Sequence, residues 1–166
     1  GLDKSLVWGI GIGLPGPVEE SGEIACAVNL HWGRKNIEKE LGDMTGLKVK
    51  AGNDANVAAL GEMWKGGGQG AKNLILVTLG TGVGGGIIIN EKIVTGAHGA
   101  GGEIGHAPVN PEESIPCNCG NKGCLEQYAS ATGIARLARK AMDNTNKSSS
   151  LRYCPSVNAK DVFDAY

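Results

Sequence analysis

The sequence is poor in aromatic side chains, with one Phe, three Tyr and three Trp among 166 residues. It also lacks an excess of either charge: 16 Lys and Arg stand against 17 Asp and Glu, for a net charge of −1. That balance offers no basic surface for nucleic acid or for an anionic membrane. No apolar run approaches the ~20 residues that cross a bilayer. The opening stretch, Gly1 to Trp8, has no basic segment followed by a long apolar one, so it does not read as a signal peptide. A cytosolic location is the expectation. A Gly-Lys-Ser/Thr ending is missing too, which excludes the Walker type of phosphate loop.

Glycine and cysteine are the residues that stand out. There are 28 glycines, well over twice the ~7% of average usage. They follow no collagen-like period, so they serve turns and close backbone approach. The five cysteines are an odd number. Cys117, Cys119 and Cys124 cluster within eight residues, whereas Cys26 and Cys154 stand alone and read as ordinary structural thiols. In a cytosolic chain such a cluster points to a metal more readily than to disulfides.

The order of elements predicts an α/β class. Leu6 to Leu14 reads as a short buried strand that stops at Pro15-Gly16-Pro17. A helix is predicted over 36–46, with Ile37, Leu41 and Met44 on one face and Gly46 at its end. A short strand follows over 47–51. The next helix, over 53–65, carries Val57, Leu60 and Trp64 as its apolar face and closes at Gly66-Gly67-Gly68. Leu74 to Leu79 is a continuous apolar strand, and Asn90-Glu91-Lys92 predicts a hairpin turn between Ile87–Ile89 and Ile93-Val94. The stretch 96–124 is irregular and long enough to require a function or a pin. A helix around Ile134, Leu137, Ala138 and Ala141 is expected to be capped by Thr132, and another begins near Asn158. A boundary is expected at the strand-to-helix step near residues 54–57.

Three sets of residues carry chemistry. His106 is followed by ten residues, Cys117, one residue, Cys119, four residues and Cys124. Three thiolates and one imidazole fill the tetrahedral shell of a structural zinc, leaving no position for water. Gly120 and Gly123 would let the chain turn between ligands. Three reduced thiols and a surface histidine are the alternative, since Cys-x-Cys is not the common Cys-x-x-Cys spacing. Asn53-Asp54-Ala55-Asn56 lies at a strand-to-helix step. Capping by Asn53 or Asp54 accounts for these residues by itself, but a carboxylate there also sits at the positive end of a helix dipole and can act as a general base. Glu103 and Glu126, each within three residues of a proposed ligand, are either solvated carboxylates or hydrogen-bonding groups for a polyol; His98 reads only as a surface histidine. Gly80 to Gly86 joins two apolar strands. Its amides form either a nest for phosphate oxygens, with the Thr81 hydroxyl added, or simply a tight hairpin. It is not a dinucleotide fingerprint, because a strand rather than a helix follows it.

In order, these pieces resemble the ROK family of sugar kinases and sugar-responsive repressors. The matching runs are Gly-Ile-Gly-Leu-Pro-Gly (11–16), Asn-Leu-His-Trp (29–32), Asn-Asp-Ala-Asn (53–56), Leu-Gly-Thr-Gly-Val-Gly-Gly-Gly (79–86), Gly-Glu-Ile-Gly-His (102–106) and Cys-Asn-Cys-Gly-Asn-Lys-Gly-Cys-Leu-Glu (117–126). The likeness runs from about residue 6 to 142, and Asn-Asp-Ala-Asn-Val-Ala-Ala-Leu-Gly-Glu is most similar to the family's glucose kinases of the low-GC Gram-positive type. The resemblance implies an actin-like, ribonuclease-H-type fold, of which residues 1–56 are the rest of a small lobe and residues 57–166 the first part of a large lobe. It implies ATP-dependent phosphorylation of glucose at the 6-hydroxyl, with Asp54 as the base. It also implies that Gly16, Asn53, Asp54, Glu103, His106 and Glu126 border or hold the sugar, and that Gly80, Thr81 and Gly82 lie near the ATP phosphates. His106, Cys117, Cys119 and Cys124 would bind a structural Zn2+, and Mg2+ would accompany ATP. The family's usual start, Asp-x-Gly-Gly-Thr, is absent, so the chain is expected to be a fragment of a longer homo-oligomeric protein and inactive alone. A sugar-sensing repressor, or a kinase for fructose, N-acetylmannosamine or allose, are the alternatives.

Overall fold

The computed structural model describes residues 3–24 and 30–166. Cys26 and Asn29, singled out above, lie outside the described residues. The chain packs as two compact units, one of Gly1–Leu76 with Gly85–Gly102, the other of Val77–Gly84 with Glu103–Tyr166. The step expected near residues 54–57 falls at the start of a helix within the first unit.

The first unit holds β1 (Ile10–Leu14), β2 (Glu23–Ile24), β3 (Lys35–Asn36), α1 (Ile37–Thr45), β4 (Val49–Asn53) and α2 (Asp54–Lys65). β1 and β4 pair in parallel, from Ile10 opposite Val49 to Leu14 opposite Asn53. Parallel pairing requires a crossover, and here it runs through β2, β3 and α1. The predicted strand from Leu6 starts only at Ile10, because Leu6 ends a 3-10 turn and Trp8 is fully in solvent. Leu14, Val18, Ile24 and Ile37 form the buried centre, with Ile12, Trp32, Leu41 and Ala51 packed around it. Each such aliphatic side chain, fully buried, contributes about 1.5–3 kcal/mol. α1 begins at Asn36, whose side chain accepts from the Lys39 amide, and ends at Gly46 with φ 71°. Ile37 and Leu41 reach the centre as expected, whereas Met44, one turn further on, is exposed.

α2 packs by a different face from the one expected. Its buried residues are Ala55, Asn56 and Ala59, while Val57, Leu60 and Trp64 line an open groove of about 1050 Å³. Small side chains win because the helix lies directly on a strand: a Cβ at Gly86 would overlap Ala59 Cβ and the Ala55 carbonyl. β5 (Leu74–Leu79), β6 (Val83–Ile89) and β7 (Lys92–Ile93) form a three-stranded sheet in that order. The chain passes from one unit to the other within β5 and again within β6. β6 and β7 are joined by the expected hairpin, with Asn90 and Glu91 at φ 50° and 64°, as a two-residue turn of the I′ type requires. β5 is apolar but not buried: Ile75, Val77 and Leu79 are exposed, since no layer of the described chain covers them.

In the second unit a 3-10 turn at Ile104–His106 precedes α3 (Glu126–Ala129), α4 (Ala131–Asp143) and α5 (Ala159–Asp164). Over 107–125 the chain is irregular apart from bridges pairing Pro108 with Cys124 and Pro116 with Lys122, and a 3-10 turn at Ser150–Tyr153 lies between α4 and α5. Ser130, not Thr132, caps α4: its hydroxyl accepts from the Gly133 amide at 3.0 Å. Asn158 and Asp161 form a capping box at the head of α5, which packs on α4.

Candidate active site and metal centre

Asp54 is the first residue of α2, and its neighbour Asn53 takes the capping role. Asn53 Oδ1 accepts from the Asn56 amide at 3.1 Å, and its Nδ2 donates to the Gly16 carbonyl at 3.2 Å. One amide therefore both starts the helix and holds the Pro15-Gly16 turn, where Gly16 has φ 102°. Asp54 is left exposed at the positive end of the helix. Its Oδ1 accepts from the Ala55 amide at 2.8 Å, and Oδ2 has no hydrogen-bond partner among the described residues. A free carboxylate oxygen in that position can accept a proton from a ligand hydroxyl.

His106, Cys117, Cys119 and Cys124 converge, with their ligand atoms all within 4.8 Å of one another. Cys119 and Cys124 sulfurs are 3.6 Å apart, and Cys117 Sγ is 3.8 Å from His106 Nδ1. A zinc tetrahedron with Zn–S bonds of ~2.3 Å has edges of about 3.8 Å, so the residues fit that ion with small adjustments. Burial pushes the Cys117 thiol up and the Cys124 thiol up to about 12, whereas the Asn121 amide lowers that of Cys119. A cation is what makes three close sulfurs stable as thiolates in such a place. Gly120 and Gly123, at φ 91° and 70°, allow the tight return between ligands, and a Cβ on Gly123 would overlap the Asn110 carbonyl. With Nδ1 toward the sulfurs, the other ring nitrogen of His106 faces Glu103, 3.9 Å from its Oε2. Both residues sit on the Ile104–His106 turn, closed by the His106 amide to the Glu103 carbonyl.

Residues 80–84 of the glycine turn lie in the same unit. The Gly80 carbonyl accepts from the Ala131 amide at 2.9 Å, and the Thr81 carbonyl from the Thr132 hydroxyl at 2.8 Å. The amides of Thr81 and Gly82 are left without partners among the described residues. Two adjacent unpartnered amides in a turn are donors that an anion can use. Glu126, the first residue of α3, accepts from the Val83 amide through Oε2 at 3.1 Å.

Sequence reasoning missed the support behind the metal loop. The Tyr128 hydroxyl donates to Glu113 Oε2 at 2.7 Å and accepts from Asn110 Nδ2 at 2.9 Å. Arg136 Nη2 lies 3.4 Å from the same Glu113 oxygen and donates to the Gln127 carbonyl at 2.9 Å. Gln127 accepts from the Cys124 amide and donates to the Ile115 carbonyl. These bonds orient ligand-bearing backbone, as groups behind a metal site do. Contacts 15–23 residues apart in sequence leave no local pattern; only the position of Gln127, three residues after Cys124, offered a hint.

The sequence matches the ROK family over residues 3–162. The chain belongs to the ROK family. It is 52% identical to a glucokinase of Halalkalibacterium halodurans over 98% of its own length and 50% of that protein's. The ROK chain thus spans about half the length of the curated relatives it matches. A ROK family glucokinase from Streptomyces griseus, solved with glucose and AMPPNP, is 41% identical with a TM-score of 0.72, over 84% of this chain and 45% of that one. A ROK family transcriptional regulator, homologous to the E. coli MLC protein, superposes with a TM-score of 0.83 at 32% identity, over 95% of this chain and 39% of that one. The fold is accordingly part of the actin-like fold of the ROK sugar kinases. No helix among the described residues is long and apolar enough to cross a membrane.

Proposed function

We propose that the whole protein is an ATP-dependent glucokinase. The observation that carries this reading is Asp54: Asn53 satisfies the helix end, so the carboxylate at its positive terminus is free for chemistry. The 52% identity to a named glucokinase supports glucose as the sugar. Asp54 takes the proton from the 6-hydroxyl as that oxygen bonds to the γ-phosphorus and the bond to the β-phosphate oxygen breaks, releasing ADP. Asn53, Glu103, His106 and Glu126 hold the other hydroxyls, and Gly16 borders the sugar. Gly80, Thr81 and Gly82 receive ATP phosphates on the free amides of the turn. Magnesium supplies charge compensation to the phosphates. Zinc on His106, Cys117, Cys119 and Cys124 is structural and fixes the loop that carries Glu103 and Glu126. In the whole protein residues 1–56 belong to the smaller lobe and residues 57–166 to the larger, the location is cytoplasmic, and the enzyme is a homo-oligomer.

A second reading, a sugar-sensing repressor, draws on the likeness to a ROK transcriptional regulator. A sensor needs the sugar and metal residues but neither a free base nor a phosphate nest. Incubating the whole protein with glucose and ATP separates the two. Formation of glucose 6-phosphate is the expected result; saturable glucose binding with no turnover, coupled to release from DNA, is the repressor's.

A further inference from the structure

We infer that Glu126 is a positioning residue that clamps the Gly80–Val83 turn and ties its shape to the Cys/His cluster. Its consequence for nucleotide binding rests on the kinase reading; the clamp itself does not.

Three observations in the turn support it. Oε2 of Glu126 accepts from the Val83 amide at 3.1 Å, a contact spanning 43 residues of sequence. A hydrogen bond to a charged acceptor is stronger than one between neutral groups. Gly82 leaves room for this carboxylate: a Cβ there would overlap Glu126 Oε2 and displace it. The carbonyls of Gly80 and Thr81 are held from the other side by Ala131 and Thr132 at the head of α4. The turn is thus gripped at Val83 by α3 and at Gly80 and Thr81 by α4, while the Thr81 and Gly82 amides stay without partners among the described residues.

The metal ligands flank the base of this clamp. Glu126 follows Cys124 by two residues, and between them the Leu125 amide donates to the carbonyl of Ala107, the neighbour of His106. Glu126 Oε1 lies 3.7 Å from Cys117 Sγ. Ordering the four ligands therefore orders the backbone from which Glu126 reaches the turn. Oε2 holds the turn, while Oε1 faces the cluster and accepts from Cys117 Sγ.

The test is amide hydrogen exchange at Val83, read by NMR in the zinc-loaded protein. Glu126→Ala should lower Val83 protection roughly 10–100-fold, the ratio set by one hydrogen bond to a charged group. Bound zinc and the protection of Ile134 in α4 should stay as they are. Glu126→Gln, which keeps an accepting oxygen, should restore most of the protection. Removing zinc with a chelator should lower Val83 protection in the wild type and change it no further in Glu126→Ala. If Glu126→Ala loses Ile134 protection as well, Gly82→Ala, which displaces the carboxylate from the opposite side, gives the same readout. Unchanged Val83 protection in a folded variant of either kind overturns the clamp. Titrating the whole protein with a non-hydrolysable ATP analogue then separates the two claims. Weaker binding in Glu126→Ala than in Glu126→Gln is the expected result. A wild type that binds no nucleotide, with Val83 still dependent on Glu126, removes the kinase reading and leaves the clamp standing.

Discussion

Asn53 performs two structural tasks that substitution can separate. Asn53→Ala removes both the cap of α2 and the bond to Gly16; Asn53→Ser keeps a good capping oxygen but cannot reach the Gly16 carbonyl. Loss of an N-cap costs about 1 kcal/mol, and the half-buried amide-to-carbonyl bond contributes about 1 kcal/mol more. The Ala variant should therefore lose about 2 kcal/mol and the Ser variant about 1 kcal/mol. In a domain of this size each kcal/mol shifts Tm by about 2–4 °C, so the expected falls are about 4–8 °C and about 2–4 °C. Thermal unfolding followed by circular dichroism reads both. A further consequence belongs to ligand binding: both variants release the Pro15-Gly16 turn, so both should weaken glucose binding by a similar factor despite their different stabilities. Equal Tm losses in the two variants would show that the cap contributes nothing. A Ser variant as stable as the wild type would show the same of the Gly16 bond and refute the assignment of Asn53 as a tether.

Two further outcomes follow from the second unit. Cys119→Ser should reduce bound zinc from one per chain to well below one by elemental analysis, and should weaken glucose binding by loosening the loop that carries Glu103 and Glu126; unchanged affinity in the metal-free variant would separate metal from site. Glu113 is held down to about 2 from an ordinary 4.5, chiefly by the Tyr128 hydroxyl, then by the Ile115 amide, against a smaller opposing effect of burial. A carboxyl depressed in the folded state stabilises it above the unfolded pKa, and that contribution disappears as pH falls. Stability should thus decline between pH 4.5 and 2, and Glu113→Gln should flatten that decline in urea titrations taken across this window.

The convergence of His106, Cys117, Cys119 and Cys124 was legible in the sequence because its signal is chemical identity at short spacing: four soft or borderline donors within 19 residues need few arrangements to meet. The helices over 36–46 and 53–65 were legible from the helical spacing of their apolar residues and from the glycines that end them, whereas the Asn36 cap emerges only from the structure. Which face of α2 is buried was not. Apolar size favoured Val57, Leu60 and Trp64, but close approach to Gly86 demanded Ala55 and Ala59, and that demand comes from a strand 27–31 residues away. The same limit hid the role of Glu126. Its position beside Cys124 marked it as interesting, yet its partner is the amide of Val83, and nothing local to either residue records the pairing. At positions 53 and 54 the residues alone favoured capping, by either side chain, over a catalytic carboxylate; the structure gives the cap to Asn53 and leaves Asp54 exposed.

The most direct measurement is the turnover of glucose and ATP to glucose 6-phosphate by the whole protein, compared with its Asp54→Asn variant, with glucose affinity measured on both. Loss of a general base lowers turnover by roughly 10²–10⁴-fold, and an amide at position 54 leaves the Asn53 cap and the Gly16 tether in place, so glucose affinity should change little. A variant that still turns over at a near-normal rate would contradict the assignment of Asp54 as the base.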